Sequence, residues 1–243
     1  MPYLSRLQSC VIYSQTVKIC GVGESKAESM VSDLIAAQTN PTIATYAKTG
    51  EVHLRVTARA EDEKEARKLV KPMIKDLKGR FGNHVYTTDD GVTLEKAVVD
   101  LLMANKLTAC TVESCTGGLL SARLINVAGV SDVFKSGYVT YSNKSKRRLL
   151  GIKKNILDKH GAVSEQIARE MAKTAAMLAK TDVCVSTTGI AGPDGGSSEK
   201  PVGLVYIGCN VCGKIRVKEC HFSGSRSKIR ESTVSVAQSL MRE

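Results

Sequence analysis

Tryptophan is absent from the 243 residues, and seven Tyr and three Phe are the whole aromatic content, 4% of the chain. A core without aromatic bulk has to be filled by aliphatic side chains. No apolar run approaches the ~20 residues of a membrane span. The opening MPYLSRLQSC shows no apolar stretch of the kind a secretory signal carries. A cytoplasmic protein with no membrane partner is therefore expected. There is no internal repeat and no low-complexity tract. The 42% apolar and 24% charged content excludes a disordered chain.

Histidine is scarce, four in all, and only His160, ahead of Gly-Ala-Val-Ser, stands where it could line a pocket. The eight cysteines are spread along the chain, which fits reduced thiols better than a disulfide framework. Cys209 and Cys212 form a CxxC with Cys220 and His221 downstream. Zinc knuckles project two close pairs from turns, whereas this pair lies in alternating apolar sequence. Buried strand thiols are the expectation, with no metal and no cofactor.

What the chain has in excess is positive charge, a net of +11. Residues 1–90 hold 13 Lys+Arg against 11 Asp+Glu, a net of +2, and the remainder hold 22 against 13, a net of +9. A basic domain suits nucleic acid or a small anionic substrate such as a phosphate monoester. The densest run is Lys144, Lys146, Arg147, Arg148, Lys153 and Lys154, for most of which a solvated helix face is sufficient explanation.

Residues 1–90 read as a small α+β domain. Val17-Lys18-Ile19 leads into GVGESK and a helix with Met30, Leu34 and Ile35 on one face. Two strands, Thr42–Ala47 and Val52–Ala58, are joined through KTGE. A helix over Glu61–Gly79 has Ala66, Val70, Ile74 and Leu77 at helical spacing, with Pro72 inside it as a potential kink or split. Asp89-Asp90-Gly91 marks the boundary.

Residues 91–243 alternate helix and strand, which predicts a layered α/β domain. Three loops stand where open α/β sheets place ligands. In Glu113-Ser114-Cys115-Thr116-Gly117-Gly118 a strand turns into a helix through small residues. Its bare N–H groups suit a phosphate or oxyanion, although a tight turn capped by Thr116 is equally consistent. Thr187-Thr188-Gly189-Ile190-Ala191-Gly192-Pro193-Asp194-Gly195-Gly196 has four glycines in the eight residues from Gly189, favouring close approach to a ligand. The third runs from Gly129-Val130-Ser131 to a strand over Gly137–Tyr141 and a basic helix. If Tyr141 ends the strand and Lys146 lies in the next helical turn, Ser131, Tyr141 and Lys146 form a hydrolase set without histidine, the Lys acting as base once desolvated. A short-chain dehydrogenase does not fit: it needs Tyr-x-x-x-Lys, and GVGESK places Lys26 where a third glycine belongs.

Together, ESCTGG, VTYSNKSK, HGAVSE, TGIAGPDGG and EKPVGLVY resemble the C-terminal domain of the CinA family (competence/damage-inducible protein A), over roughly Thr93 to the C-terminus. The resemblance implies hydrolysis of nicotinamide mononucleotide to nicotinic acid mononucleotide and ammonia. It implies Ser131 as nucleophile, Tyr141 and Lys146 as its activating pair, and Ser114 as a further serine needed at the site. Thr188 and Arg226 match substrate-binding positions, to which Thr116, Gly117 and Gly189 of the two glycine loops are added. A homodimer is expected by analogy. Residues 1–90 resemble the family's KH-like middle domain, but their one GxxG, Gly79-Arg80-Phe81-Gly82, is not clearly placed between two helices, which counts against nucleic-acid binding. The long form's molybdopterin-binding-like domain is not found in this sequence, so none of its activity is assigned. The rival expectation is a nucleic-acid-associated binding protein with an inactive amidase-like domain.

Overall fold

The computed structural model describes residues 10–243. Two compact units divide between Thr93 and Leu94. In the first, strands β1 (Val11–Cys20), β2 (Thr42–Lys48), β3 (Glu51–Ala60) and β4 (Val85–Thr87) form a sheet in the order β2-β3-β1-β4 with every neighbour antiparallel. Helices α1 (Glu24–Ser29), α2 (Ser32–Ala37) and α3 (Glu63–Phe81) complete it. Alternate residues of one strand face share a side, so Val52, Leu54, Val56 and Ala58 of β3 enter one core with Ala66, Val70, Ile74, Leu77 and Phe81 of α3. The Asp62 carboxylate starts α3 by accepting from the Glu65 N–H at 2.8 Å. The single helix expected after GVGESK is two short ones, and α3 runs unbroken through Pro72, which lies on its exposed face.

The GxxG falls in the last turn of α3, with Phe81 buried in the core, and passes into a 3₁₀ turn over Gly82–His84. It is not an exposed loop between two helices. Lys18 is buried, its ammonium satisfied by the carbonyls of Asp90 and Val92 at 2.8 and 2.9 Å.

The second unit comprises α4 (Leu94–Ala104), β5 (Ala109–Glu113), α5 (Leu119–Ile125), β6 (Phe134–Val139), α6 (Asn143–Leu150), α7 (Lys154–His160), α8 (Glu165–Ala179), β7 (Val183–Gly189), β8 (Leu204–Val211), β9 (Lys214–His221) and α9 (Arg226–Arg242). Its sheet runs β6-β5-β7-β8-β9, parallel across β6, β5 and β7 and antiparallel beyond. Strand alternation sorts the side chains by face. Ala109, Val183 and Val185 join α4, α5 and α9 in one core, while Cys110, Val112 and Cys184 join Leu150, Leu157, Ile167 and Met171 in another. The chain thus leaves β5 toward one face and β6 toward the other. The crevice between the carboxyl ends of these strands is a topological switch point, where open α/β sheets take ligands.

Glu113, the last residue of β5, is fully buried. Its carboxylate accepts from the N–H groups of Gly118, Leu120 and Ser121 at 2.9, 3.1 and 2.8 Å and from the Ser121 hydroxyl at 2.6 Å. The strand itself therefore caps α5, and the expected Thr116 cap is not used. Glu113→Ala should lower stability by about 3 kcal/mol or more by stranding these donors, read from the urea unfolding midpoint, with Glu113→Gln falling between.

Candidate active site

Ser114 follows β5, and its N–H donates to the Thr187 carbonyl of β7 at 2.9 Å. Thr140 follows β6, its N–H held by the Glu113 carbonyl at 2.8 Å. Lys146 lies one turn into α6, a helix whose start is fixed by a capping box in which Ser142 and Ser145 each accept from the other's backbone. These placements converge on one contact. The Lys146 ammonium, 1% exposed, donates to Ser114 Oγ at 2.9 Å and to the Thr140 carbonyl at 2.8 Å.

Among the described residues, no carboxylate lies within ion-pair distance of Lys146. Burial without a counter-charge lowers its pKa to about 8. The neighbouring Cys115 is driven the other way, since burial pushes its thiol up to about 12, so it stays protonated and is a poor nucleophile. Ser114 is thus the nucleophile-type group poised against a base that is partly neutral near physiological pH.

A cleft of ≈ 250 Å³ opens on this pair, walled by Ala162 and Val163 on one side and by Thr188–Gly192 on the other, with Tyr141 and Arg226 at its edge. Thr188 ties the walls, its hydroxyl donating to the Ala162 carbonyl at 2.7 Å. Lys200 does the same with the His160 and Val163 carbonyls at 2.9 and 2.8 Å. Gly189 lies against Val205, where a Cβ would come within 2.6 Å of its side chain, so the loop passes through a space only glycine fits. Arg226 donates to the Gly192 carbonyl at 2.7 Å and to the Tyr141 hydroxyl at 3.1 Å. A wider depression on the N-terminal unit, lined by Cys10, Ile12, Thr39, Asn40 and Arg59 among others, holds no comparable buried base and nucleophile.

The fold brings together Ser114, Lys146, Thr188, Gly189, Tyr141 and Arg226 but not Ser131. Strand β6 begins and ends earlier than expected, and Ser131 lies exposed in the 3₁₀ turn that enters it. The length of β6, about 20 Å, separates that turn from the carboxyl ends where Lys146 sits. Its carbonyl serves only to hold Lys135 at 3.1 Å. Tyr141 is past the strand end and 62% exposed, and its hydroxyl meets Arg226, with no bond to Lys146. Thr116 is buried and engaged with the Thr187 hydroxyl at 2.7 Å, and Arg230 holds its carbonyl at 2.7 Å. Thr116 and Gly117 therefore shape the serine turn from behind and do not line the cleft. Thr140 and Ala162 were not singled out, because each contributes a backbone carbonyl, which leaves no mark on residue type. Cys209 is buried in β8 and Cys212 is exposed in the turn after it.

A mixed α/β sheet with a buried serine–lysine contact at its switch point, preceded by a β-α-α-β-β-α-β unit, defines a two-domain protein with its candidate site in the second domain. The chain belongs to the CinA family: the model of the CinA C-terminal domain matches residues 92–243, and that of the damage-inducible protein CinA KH domain matches residues 14–87. It is 48% identical over 242 residues to a CinA-like protein of Dictyoglomus thermophilum, covering 100% of this chain and 59% of that one. The chain therefore spans less than two thirds of the length of the curated relatives it matches. Among solved structures, it is similar to the competence/damage inducible protein CihA of Agrobacterium tumefaciens, with TM-score 0.59, 40% identity and coverage of 60% of this chain and 90% of that one. A CinA superfamily protein of Klebsiella pneumoniae gives TM-score 0.60 and 33% identity, covering 61% and 93%. No helix among the described residues is long and apolar enough to cross a membrane.

The depressed Lys146 pKa has a consequence for stability. Between pH 8 and 10.5 the unfolded chain holds a proton that the folded chain has released, so stability rises with pH across that window. The cost of burying the ammonium, about 3 kcal/mol, is felt in full below it. Chemical denaturation from pH 7 to 10 should show wild type gaining stability relative to Lys146→Met, whose own side chain does not titrate. A difference that stays flat across the window would mean that Lys146 titrates normally.

Proposed function

We propose that the second domain is a serine–lysine amidohydrolase acting on a small carboxamide that carries a phosphate, with nicotinamide mononucleotide as substrate. The observation that carries this reading is the 2.9 Å contact between the buried Lys146 ammonium and the buried Ser114 Oγ at the base of the cleft. The reading assigns the nucleophile to Ser114 in place of Ser131.

In the deprotonated state, the Lys146 amine takes the Ser114 proton as Oγ attacks the carboxamide carbon. Backbone N–H groups of the glycine loops stabilise the resulting oxyanion. Lys146 then returns the proton to the departing nitrogen, which leaves as ammonia. Water, deprotonated by the same amine, attacks the acyl-serine carbonyl; the acyl C–Oγ bond breaks, Lys146 returns the proton to Ser114 Oγ, and nicotinic acid mononucleotide is released. Arg226, at the cleft edge, exchanges its Tyr141 contact for the phosphate, which it is built to grip with a two-pronged fork. Tyr141 in this reading aligns Arg226 and carries no proton.

Ammonia release from nicotinamide mononucleotide tests the assignment. Ser114→Ala and Lys146→Met should each lose about 10³-fold or more in kcat, as expected for loss of a nucleophile or its base. Ser131→Ala should retain wild-type activity, and a collapse there with Ser114→Ala still active would reverse the assignment. Because the neutral amine is the active form, kcat/KM should climb with pH and level off above about 8.

A further inference from the structure

The basic excess of the second domain is not used up by the cleft. Among the described residues, Arg226 and Lys146 are the Lys and Arg that line it. Much of the remainder is gathered on the turn from α6 to α7. Lys144, Arg147, Arg148, Lys153 and Lys154 surround a groove of ≈ 470 Å³ whose sixth lining residue is Ile152. All five cations are exposed, and Ile152 is buried. Among the described residues, none of the five has an ion-pair partner, although Arg67, Lys68, Arg80, Lys96 and Arg169 each hold a carboxylate. No Asp or Glu occurs from residue 143 to 157.

Like charges that line one groove repel one another, and physiological salt screens such repulsion least at short range. A surface selected only for solubility intersperses both signs. A groove of one sign over a buried apolar residue concentrates the field on whatever anion enters it.

We propose that this groove is a second ligand site, separate from the cleft, for a compact polyphosphate group such as that of a nucleoside triphosphate. Two arginines supply planar forks that match phosphate oxygens, and three lysines supply point charges around them. The cations are clustered around one concavity and not drawn out along a track. That favours a short run of linked phosphates over a nucleic-acid strand, whose charges are spaced along an extended backbone. The site is independent of the amidase reading, since none of its five cations touches the cleft.

Inorganic tripolyphosphate, titrated into the full chain by calorimetry and by thermal melting, is the direct probe. Wild type should bind it and melt at higher temperature, while Arg147→Ala/Arg148→Ala/Lys153→Ala should bind at least about tenfold more weakly, the loss expected from charged hydrogen bonds. All three side chains are exposed, so the variant should fold, and relief of repulsion should leave its unliganded melting temperature equal or higher. A control that removes the same charge, Lys64→Ala/Lys68→Ala/Lys71→Ala on α3, should bind as wild type does. Equal weakening in both triple variants would reduce the effect to net charge and overturn the site. So would an orthophosphate response equal to that of tripolyphosphate, or tighter binding of single-stranded oligonucleotides with affinity growing with their length.

Discussion

Lys146 carries a cation where water scarcely reaches, held by one hydroxyl and one carbonyl and by no carboxylate. Most of the neighbouring structure follows from keeping it so. A fully buried carboxylate, Glu113, is the residue next to Ser114, and an ion pair between it and Lys146 would restore the lysine to its ordinary pKa and remove its use as a base. The fold prevents this by spending every strong acceptor position of Glu113 on the first turn of α5. Strand alternation assists: Glu113 shares a face with Thr111, which bonds Ser121 of α5 at 2.7 Å, and Ser114 is the next residue along. Adjacent residues thus serve opposite layers, one as the anchor of a helix and one as the partner of an uncompensated cation.

The serine turn is fixed from several directions, as a reacting atom requires. The Thr187 carbonyl holds its first N–H, the Thr116–Thr187 hydroxyl pair closes it from beneath, and Arg230 on α9 clamps the Thr116 carbonyl. Thr116 and Gly117 were expected to meet substrate, and their part is instead to give Ser114 a single position. Arg226 and Arg230 stand one helical turn apart on α9, so the same helix that grips the serine turn also presents the guanidinium at the cleft edge.

Much of this was legible in the sequence where residue type and spacing reflect a periodic constraint. The strand over Val52–Ala58 and the apolar spacing in α3 both follow from burial of one face. All three flagged stretches contribute to the cleft, the third through Tyr141 and Lys146 alone. Ser131 is not brought there, and the reason is geometric. Ser131, Tyr141 and Lys146 lie close along the chain, but β6 runs between Ser131 and the other two, and a strand carries its ends about 20 Å apart. Ser114, 32 residues from Lys146, is brought into contact because β5 and β6 are parallel neighbours whose carboxyl ends coincide. Sequence proximity pointed to Ser131; parallel pairing sets Ser114 against Lys146. The GxxG, read as not clearly placed between two helices, closes α3, and burial of Phe81 between its glycines decides the conformation.

Separation of charge also governs how an anionic substrate has to sit. A phosphate held beside Lys146 would favour the ammonium and return the base to its inactive form, undoing what burial achieves. Arg226 removes that conflict. It is tethered to the Gly192 carbonyl and reaches toward Tyr141 at the cleft edge, so under the proposed reaction the permanent cation that would neutralise a phosphate is a different group from the titratable one that would move protons. An arginine suits the first task because it keeps its charge at any physiological pH, and a lysine suits the second because burial can take its charge away. The two cations of the cleft are therefore not interchangeable, even though composition counts them alike.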